Sequence, residues 1–275
     1  IDGLKVLINS LKHFQKKPNE IVIIDSCSQD GTEDYIKELN RIDINYVRKK
    51  TTIGQARNLG VQLSKNDIIL ITDTYCVPSP FWSQAIIRDL EKGYDFVATN
   101  YGVIGGSDAQ IGYGSLVNQK KIKKSFNPSS RSIGFLKKSF IDLGMYPTEF
   151  NEGEDTEFNR LIISKGFRHK LIFENLVSWY SRKTFKELRQ QYKRYTLGDL
   201  KYGIFKKRFL FSILTNVFLN VIFLGLPMIV YVLIITFFLF NKKNLNYLSF
   251  KARYNIDKGT SDAIQQSLIG KIKSL

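Results

Sequence analysis

Cysteine and histidine are nearly absent. The 275 residues hold two of each, Cys27 and Cys76, His13 and His169. That excludes a disulfide framework and a His/Cys metal site, and it suits a reducing cytoplasm. Both cysteines read as small buried residues rather than nucleophiles. Neither histidine stands near a catalytic signature. No stretch reads as a secretory signal peptide, and no internal repeat is detected. Acidic residues are outnumbered, 25 Asp+Glu against 41 Lys+Arg, for a formal charge of +16. Such an excess implies an anionic partner, a lipid surface, phosphates or nucleic acid. A general bias toward Lys explains part of it equally well, although the basic residues do cluster at 120–138 and 165–208.

Hydrophobic residues make up 43% and charged residues 24%, so most of the chain folds around a core and disorder is excluded as the default. The length fits one large α/β domain plus an appendage. Leu4, Leu7, Ile8 and Leu11 repeat at helical spacing. Residues 20–25 (EIVIID) form a short β-branched run that reads as a buried parallel strand. Asp30-Gly31-Thr32 is a turn opening the next helix. Strands are expected at 44–47, 67–72 and 95–100, and a helix at 53–64. This alternation predicts an open, mostly parallel sheet with helices on both faces, with ligands at the carboxyl ends of the strands. Asp25 and Asp73 both fall there. A Gly-rich, then basic loop region is expected at 101–132, helices at 135–143 and 155–165, and short strands at 167–173 and 176–179. Residues 185–202 read as an amphipathic, basic and aromatic helix. Residues 209–240 are almost wholly apolar, and the tail from 241 is polar and basic.

Four segments carry candidate chemistry. Asp25 opens Asp25-Ser26-Cys27-Ser28-Gln29-Asp30-Gly31-Thr32, where a strand-end carboxylate can accept from a base or ribose and the following helix N-terminus favours phosphate. Taken alone, such an Asp is more often turn chemistry. In Gly54-Gln55-Ala56-Arg57-Asn58-Leu59-Gly60 the first glycine permits close backbone approach, and Arg57 can reach nucleotide oxygens. Taken alone, this is a surface Arg. Asp73 begins Asp73-Thr74-Tyr75-Cys76-Val77-Pro78, where a carboxylate can hold a divalent cation bridging a diphosphate, or simply cap a turn. Residues 152–157 place four carboxylates in six positions before a helix. These complement the helix dipole, or include a general base.

In this order and spacing the four segments resemble family-2 glycosyltransferases of the GT-A fold, over residues 1–202. The resemblance implies that Asp25 contacts the base, that Arg57 contacts the donor nucleotide, and that Asp73 binds ribose or a metal, Mg²⁺ or Mn²⁺. It implies Asp155 as catalytic base. The pattern departs in two places. The family's first strand is missing ahead of Ile1, where the sequence opens without Met. Tyr75 stands where the second Asp of Asp-x-Asp belongs, and a phenol is a poor ligand for a hard cation. A subgroup of the family reads Thr-Asp-Ala-Gly-Cys at that point. It also has Pro-Ser-Ser-Arg-Ser, Gly-Glu-Asp-Thr and Gln-Tyr-x-Arg-Tyr, as do residues 128–132, 153–156 and 191–195 here. Gln191, Arg194 and Tyr195 further resemble the Gln-x-x-Arg-Trp motif of processive synthases, on the acceptor and diphosphate side. A basic helix whose Arg meets lipid phosphates fits them equally. Arg131 is expected on the diphosphate, and Trp179 in the acceptor groove or in the core.

The implied reaction is inverting sugar transfer from a nucleotide-diphosphate sugar to a hydroxyl of a lipid-linked or glycan acceptor. Membrane lipids are the further partner, and nucleic acid is not one. The rivals are a nucleotidyltransferase of related fold and a non-catalytic membrane-surface protein. The expected organisation is a catalytic domain at 1–183, an interfacial helix at 184–208, a transmembrane hairpin at 209–240 and a cytoplasmic tail at 241–275. As one helix the apolar run would reach roughly 48 Å, against a hydrocarbon core of ~30 Å. Gly225 and Pro227 near its middle, and Lys/Arg on both flanks, favour a hairpin with both ends and the catalytic domain on the cytoplasmic side.

Overall fold

The computed structural model describes residues 1–41, 43–118, 126–149, 151–204 and 247–273. They fall into two units, residues 1–102 with 122–179, and residues 103–121 with 180–275.

The first unit opens with α1 (Asp2–Leu11), β1 (Ile21–Asp25), α2 (Thr32–Leu39), β2 (Ile44–Arg48) and α3 (Ile53–Leu63). β1 and β2 are parallel, from Ile21 against Ile44 to Asp25 against Arg48. Side chains alternate across a strand, so Ile23 faces one way and Ile24 the other. Leu4, Ile8 and Ile36 of α1 and α2 cover the face of Ile23, Ile44 and Tyr46. α3 packs against β1, with Gly60 beside Ile24. A capping box starts α3: Thr52 Oγ1 accepts from Gln55 N at 3.3 Å, and Gln55 Oε1 accepts from Thr52 N at 2.9 Å.

There follow β3 (Ile68–Ile71), β4 (Cys76–Pro78), α4 (Trp82–Glu91), β5 (Phe96–Ile104), α5 (Asp108–Asn118), β6 (Ile133–Leu136), α6 (Lys137–Leu143), α7 (Glu154–Ser164) and β7 (His169–Tyr180). The five strands order as β3-β6-β5-β7-β4. The expectation of a mostly parallel sheet needs correction here. β6 runs antiparallel to both β3 and β5, and β4 antiparallel to β7. β3 and β5 do point the same way, as strand–helix alternation requires, but a strand from later in the chain lies between them. Its residues 135–136 sit inside the stretch expected to be helical. One long strand, β7, also replaces the two short ones expected at 167–179.

Helices cover both faces of this sheet. Phe96, Ala98, Ile133 and Phe135 meet Phe140 and Leu143 of α6 and Phe158 and Ile162 of α7. Burying each such aromatic contributes about 1.5–3 kcal/mol. Gly134 faces the other way, where a Cβ would stand 2.5 Å from Ile86 of α4. Cys76 is fully buried, and burial pushes its thiol up to about 11, so it is a packed neutral group.

The second unit holds α5, α8 (Phe185–Lys201) and α9 (Tyr247–Lys273). The loop expected at 101–132 is thus partly strand and partly helix. The tail expected only as polar and basic contains a 27-residue helix. α9 packs on α8 and α5 through small residues. A Cβ at Gly259 would stand 2.2 Å from the Arg189 carbonyl, and one at Gly112 2.1 Å from the Leu248 carbonyl. Arg189 of α8 pairs with Asp262 of α9, Nε to Oδ2 2.9 Å. Among the described residues no helix is long and apolar enough to cross a membrane. The run at 209–240, with its basic flanks at 206–208 and 242–243, lies outside the described residues.

Candidate active site

The segment Gly54-Gln55-Ala56-Arg57-Asn58 seats α3 against the chain at 146–147. A Cβ at Gly54 would stand 2.5 Å from the Pro147 carbonyl oxygen, so only glycine permits the approach. Asn58 Nδ2 donates to the Tyr146 carbonyl and Asn58 Oδ1 accepts from Tyr146 N, both at 2.9 Å. With Tyr146 fixed, the Arg57 guanidinium lies 5.1 Å from its ring centroid. The Tyr146 ring in turn stacks on Phe158 at 4.0 Å, and its hydroxyl meets Ser130 Oγ at 2.9 Å.

Arg57 joins the two ends of the candidate site. Nη1 donates to Glu154 Oε1 at 2.7 Å, and Nη2 to Asp73 Oδ1 at 3.2 Å. The side chains of Arg57 and Glu154 are each 8% exposed, and that of Asp73 is 29%. Asp73 lies just past β3, and Glu154 opens α7. Burial pushes the Glu154 carboxyl upward, and the neighbouring Asp155 adds to this. Arg57 opposes both, and the carboxyl ends at about 7. Burial alone would lower the pKa of Arg57, but Asp73, Tyr146, Glu154 and Asp155 together hold it above its ordinary value. Arg57 is therefore charged throughout.

A second arginine converges on Asp73. Arg131 Nε stands 3.9 Å from Asp73 Oδ2. Its guanidinium lies 4.0 Å from the Trp179 ring centroid and 5.4 Å from that of Tyr101. The serines of Pro128-Ser129-Ser130-Arg131-Ser132 hold it in place. Ser129 Oγ accepts from Arg131 Nη1 at 2.8 Å, and Ser132 Oγ accepts from Trp82 Nε1 at 2.8 Å. Trp179 is buried, at 5% exposure, so in this structure it carries Arg131 rather than lining an open groove.

The acidic run at 152–157 divides by helix geometry. Glu154, Phe158 and Ile162, spaced by four, form the buried stripe of α7. Glu157 pairs locally with Arg160, Oε2 to Nε 2.7 Å. Asp155 sits half-buried in the first turn, where the helix dipole favours a carboxylate. Glu154 was not among the site residues expected from sequence, although its spacing from Phe158 was a usable signal. Tyr146 and Asn58 gave no such signal.

Asp25 is engaged locally. It accepts from Ser28 Oγ at 2.6 Å, from Ser28 N at 3.1 Å and from Tyr46 Oη at 2.8 Å, with Arg48 Nε at 3.9 Å. Burial raises its pKa, but these donors outweigh it and hold the carboxyl below the usual range. Gln191, Arg194 and Tyr195 belong to α8 in the second unit. Gln191 is buried and donates to Tyr195 Oη at 2.5 Å, while Arg194 is exposed.

The donor set bears on a metal. Among the described residues no three His, Cys, Asp or Glu side chains gather as a metal cage. Tyr75, in the left-handed region at φ 63°, packs on Gly3. Asp73 remains as one hard oxygen donor at the edge of the site. That fits an ion of the Mg²⁺ type, held by one carboxylate with phosphates and waters, and does not fit an all-protein site.

A family model described as glycosyl transferase family 2 matches residues 1–147. The chain is 24% identical to the hyaluronan synthase of Pasteurella multocida, over 67% of this chain and 23% of that protein. It therefore spans about a quarter of that relative's length. It is 25% identical to a dolichyl N-acetyl-alpha-D-glucosaminyl phosphate 3-beta-D-2,3-diacetamido-2,3-dideoxy-beta-D-glucuronosyltransferase of Methanococcus voltae, over 81% of this chain and 77% of that protein. Among solved structures, the mannosyltransferase PcManGT from Pyrobaculum calidifontis, in complex with GDP-Man and Mn²⁺, is similar with a TM-score of 0.65. The identity there is 13%, over 97% of this chain and 83% of that one, and the likeness is one of fold. With more than half of its length matched by the family model, on an α/β fold of the GT-A kind, this chain belongs to glycosyl transferase family 2.

Proposed function

We propose that the chain transfers a sugar from a nucleotide-diphosphate sugar to an acceptor hydroxyl, with inversion at the anomeric carbon. The observation that carries this reading is the Arg57 bridge between Asp73 and Glu154. It ties a strand-end carboxylate to the helix turn bearing Asp155. Asp155 takes the proton of the acceptor hydroxyl as that oxygen bonds to the anomeric carbon. The bond from that carbon to the diphosphate oxygen breaks with its electron pair on the diphosphate. Arg131, stacked on Trp179 beside Asp73, offsets the charge on the leaving group, and Arg194 is the second candidate. Arg57 and Asp25 serve the donor nucleotide, and Gln191 and Tyr195 the acceptor side. Asp73 would hold Mg²⁺ or Mn²⁺, which supplies further neutralisation of the diphosphate.

The acceptor is read as lipid-linked or glycan, since one relative's name gives a dolichyl N-acetyl-alpha-D-glucosaminyl phosphate and another's hyaluronan. The apolar run at 209–240 is read as a membrane hairpin that keeps the catalytic unit on the cytoplasmic side. Reporters fused after residues 207 and 243 test this, and opposite sides would sink the hairpin. The catalytic reading is tested by incubating the full chain in membranes with UDP-, GDP- and dTDP-sugars. Sugar incorporation from one of them is expected, and none from any would overturn the reading.

A further inference from the structure

Glu154 has no part in the reaction as derived above, yet it is one of the most buried carboxylates of the first unit. Its described partner is Arg57 Nη1, at 2.7 Å. A guanidinium is a planar fork, so fixing Nη1 also fixes the direction of Nη2. That second nitrogen donates to Asp73 Oδ1 at 3.2 Å. The Tyr146 ring beside the guanidinium, at 5.1 Å, sets its depth but leaves its rotation in plane free. The other Asp73 oxygen stands 3.9 Å from Arg131, beyond hydrogen-bond distance. Among the described residues, then, the Asp73 carboxylate takes its one side-chain hydrogen bond from Arg57, and Arg57 takes its rotation from Glu154.

We propose that Glu154 is a positioning residue that acts through Arg57 to fix the donor-side carboxylate Asp73. The proposal rests on the reading of Asp73 as a donor residue. It separates the adjacent acids of α7: Asp155 serves the proton and Glu154 serves donor placement. The role needs an acceptor oxygen facing Nη1 rather than a full negative charge. Burial, which pushes the Glu154 carboxyl up toward neutrality, is compatible with that.

The test is calorimetric titration of the full chain with UDP, GDP and dTDP in the presence of Mn²⁺, for wild type, Glu154→Ala, Glu154→Gln and Asp155→Asn. Losing a charge-assisted hydrogen bond that places a ligand group weakens binding by about 10-fold. Glu154→Ala is expected to show that loss for whichever nucleotide wild type binds, with donor KM rising more than kcat falls. Glu154→Gln, which keeps an acceptor oxygen, is expected to restore binding, and Asp155→Asn to leave it near wild type. Should Glu154→Ala fail to fold, Glu154→Leu, which fills the buried space without an acceptor oxygen, is expected to show the same weakening. Wild-type affinity in Glu154→Ala or Glu154→Leu would overturn the proposal alone, as would Glu154→Gln binding as weakly as Glu154→Ala. Failure of wild type to bind any of the three would overturn the donor reading, and the proposal with it.

Discussion

Arg57 and Glu154, 97 residues apart in sequence, form a 2.7 Å ion pair with both side chains 8% exposed. Removing one member of such a pair strands the other in a site that water barely reaches. Arg57→Ala is expected to cost about 3 kcal/mol, the lower end for buried pairs, because Glu154 can take up a proton. Thermal melts should show a fall of about 2–4 °C per kcal/mol. An unchanged melting temperature would mean that the pair contributes nothing to the fold.

Glu154 also makes stability depend on pH. Its carboxyl is raised from an ordinary 4.5 to about 7, by burial first and by Asp155 second. Between those values the folded chain keeps a proton that the unfolded chain releases, so stability falls as pH rises. The contribution is fully present below about 4.5 and lost as pH climbs through about 7. Glu154→Gln stays neutral throughout, so its melting temperature is expected to gain on wild type between pH 5 and pH 8. Parallel pH profiles for the two would contradict this.

Much of this site was legible in sequence because its parts are local. The strand ending before Asp73 is a β-branched run, and Arg57 and Asp155 sit in short motifs at helix starts. What was not legible depends on distant contacts. α5 contains Gly112 and Gly114, and each glycine costs a helix about 1 kcal/mol. The stretch therefore reads as loop until Leu248 closes on Gly112. α9 buries Ser249, Ala252, Thr260 and Ala263, a face too small and polar to give a hydrophobic period. β6 is only four residues long, and its place is set by pairing with β3 across more than sixty positions and with β5 across more than thirty. Glu154 is not singled out in sequence because an acid beside a motif acid reads as helix-dipole chemistry or as an alternative base.

Trp179 presents its ring to Arg131 at 4.0 Å. A desolvated cation–π contact of this kind is worth about 2 kcal/mol. Trp179→Leu is expected to lower kcat by about 10-fold or more as Arg131 loses its seat, and Trp179→Phe to recover most of it. If Phe and Leu are equally impaired, the ring face is not what matters.

Asp73 as single protein ligand implies a cation that arrives with the diphosphate. EDTA is expected to abolish transfer, and Mn²⁺ titrated into the chain without nucleotide to bind poorly. Full transfer in EDTA would assign leaving-group stabilisation to arginine alone, Arg131 first.

The central claim is that Asp155 accepts the acceptor proton while the donor is held elsewhere. Asp155→Asn keeps the shape of the side chain and removes its basicity. The most direct measurement compares wild type and Asp155→Asn for both nucleotide affinity and sugar turnover, on the one donor that supports transfer. Affinity is expected to stay within a factor of about 3 while turnover falls by roughly 10²-fold or more. Undiminished turnover in Asp155→Asn would contradict the account.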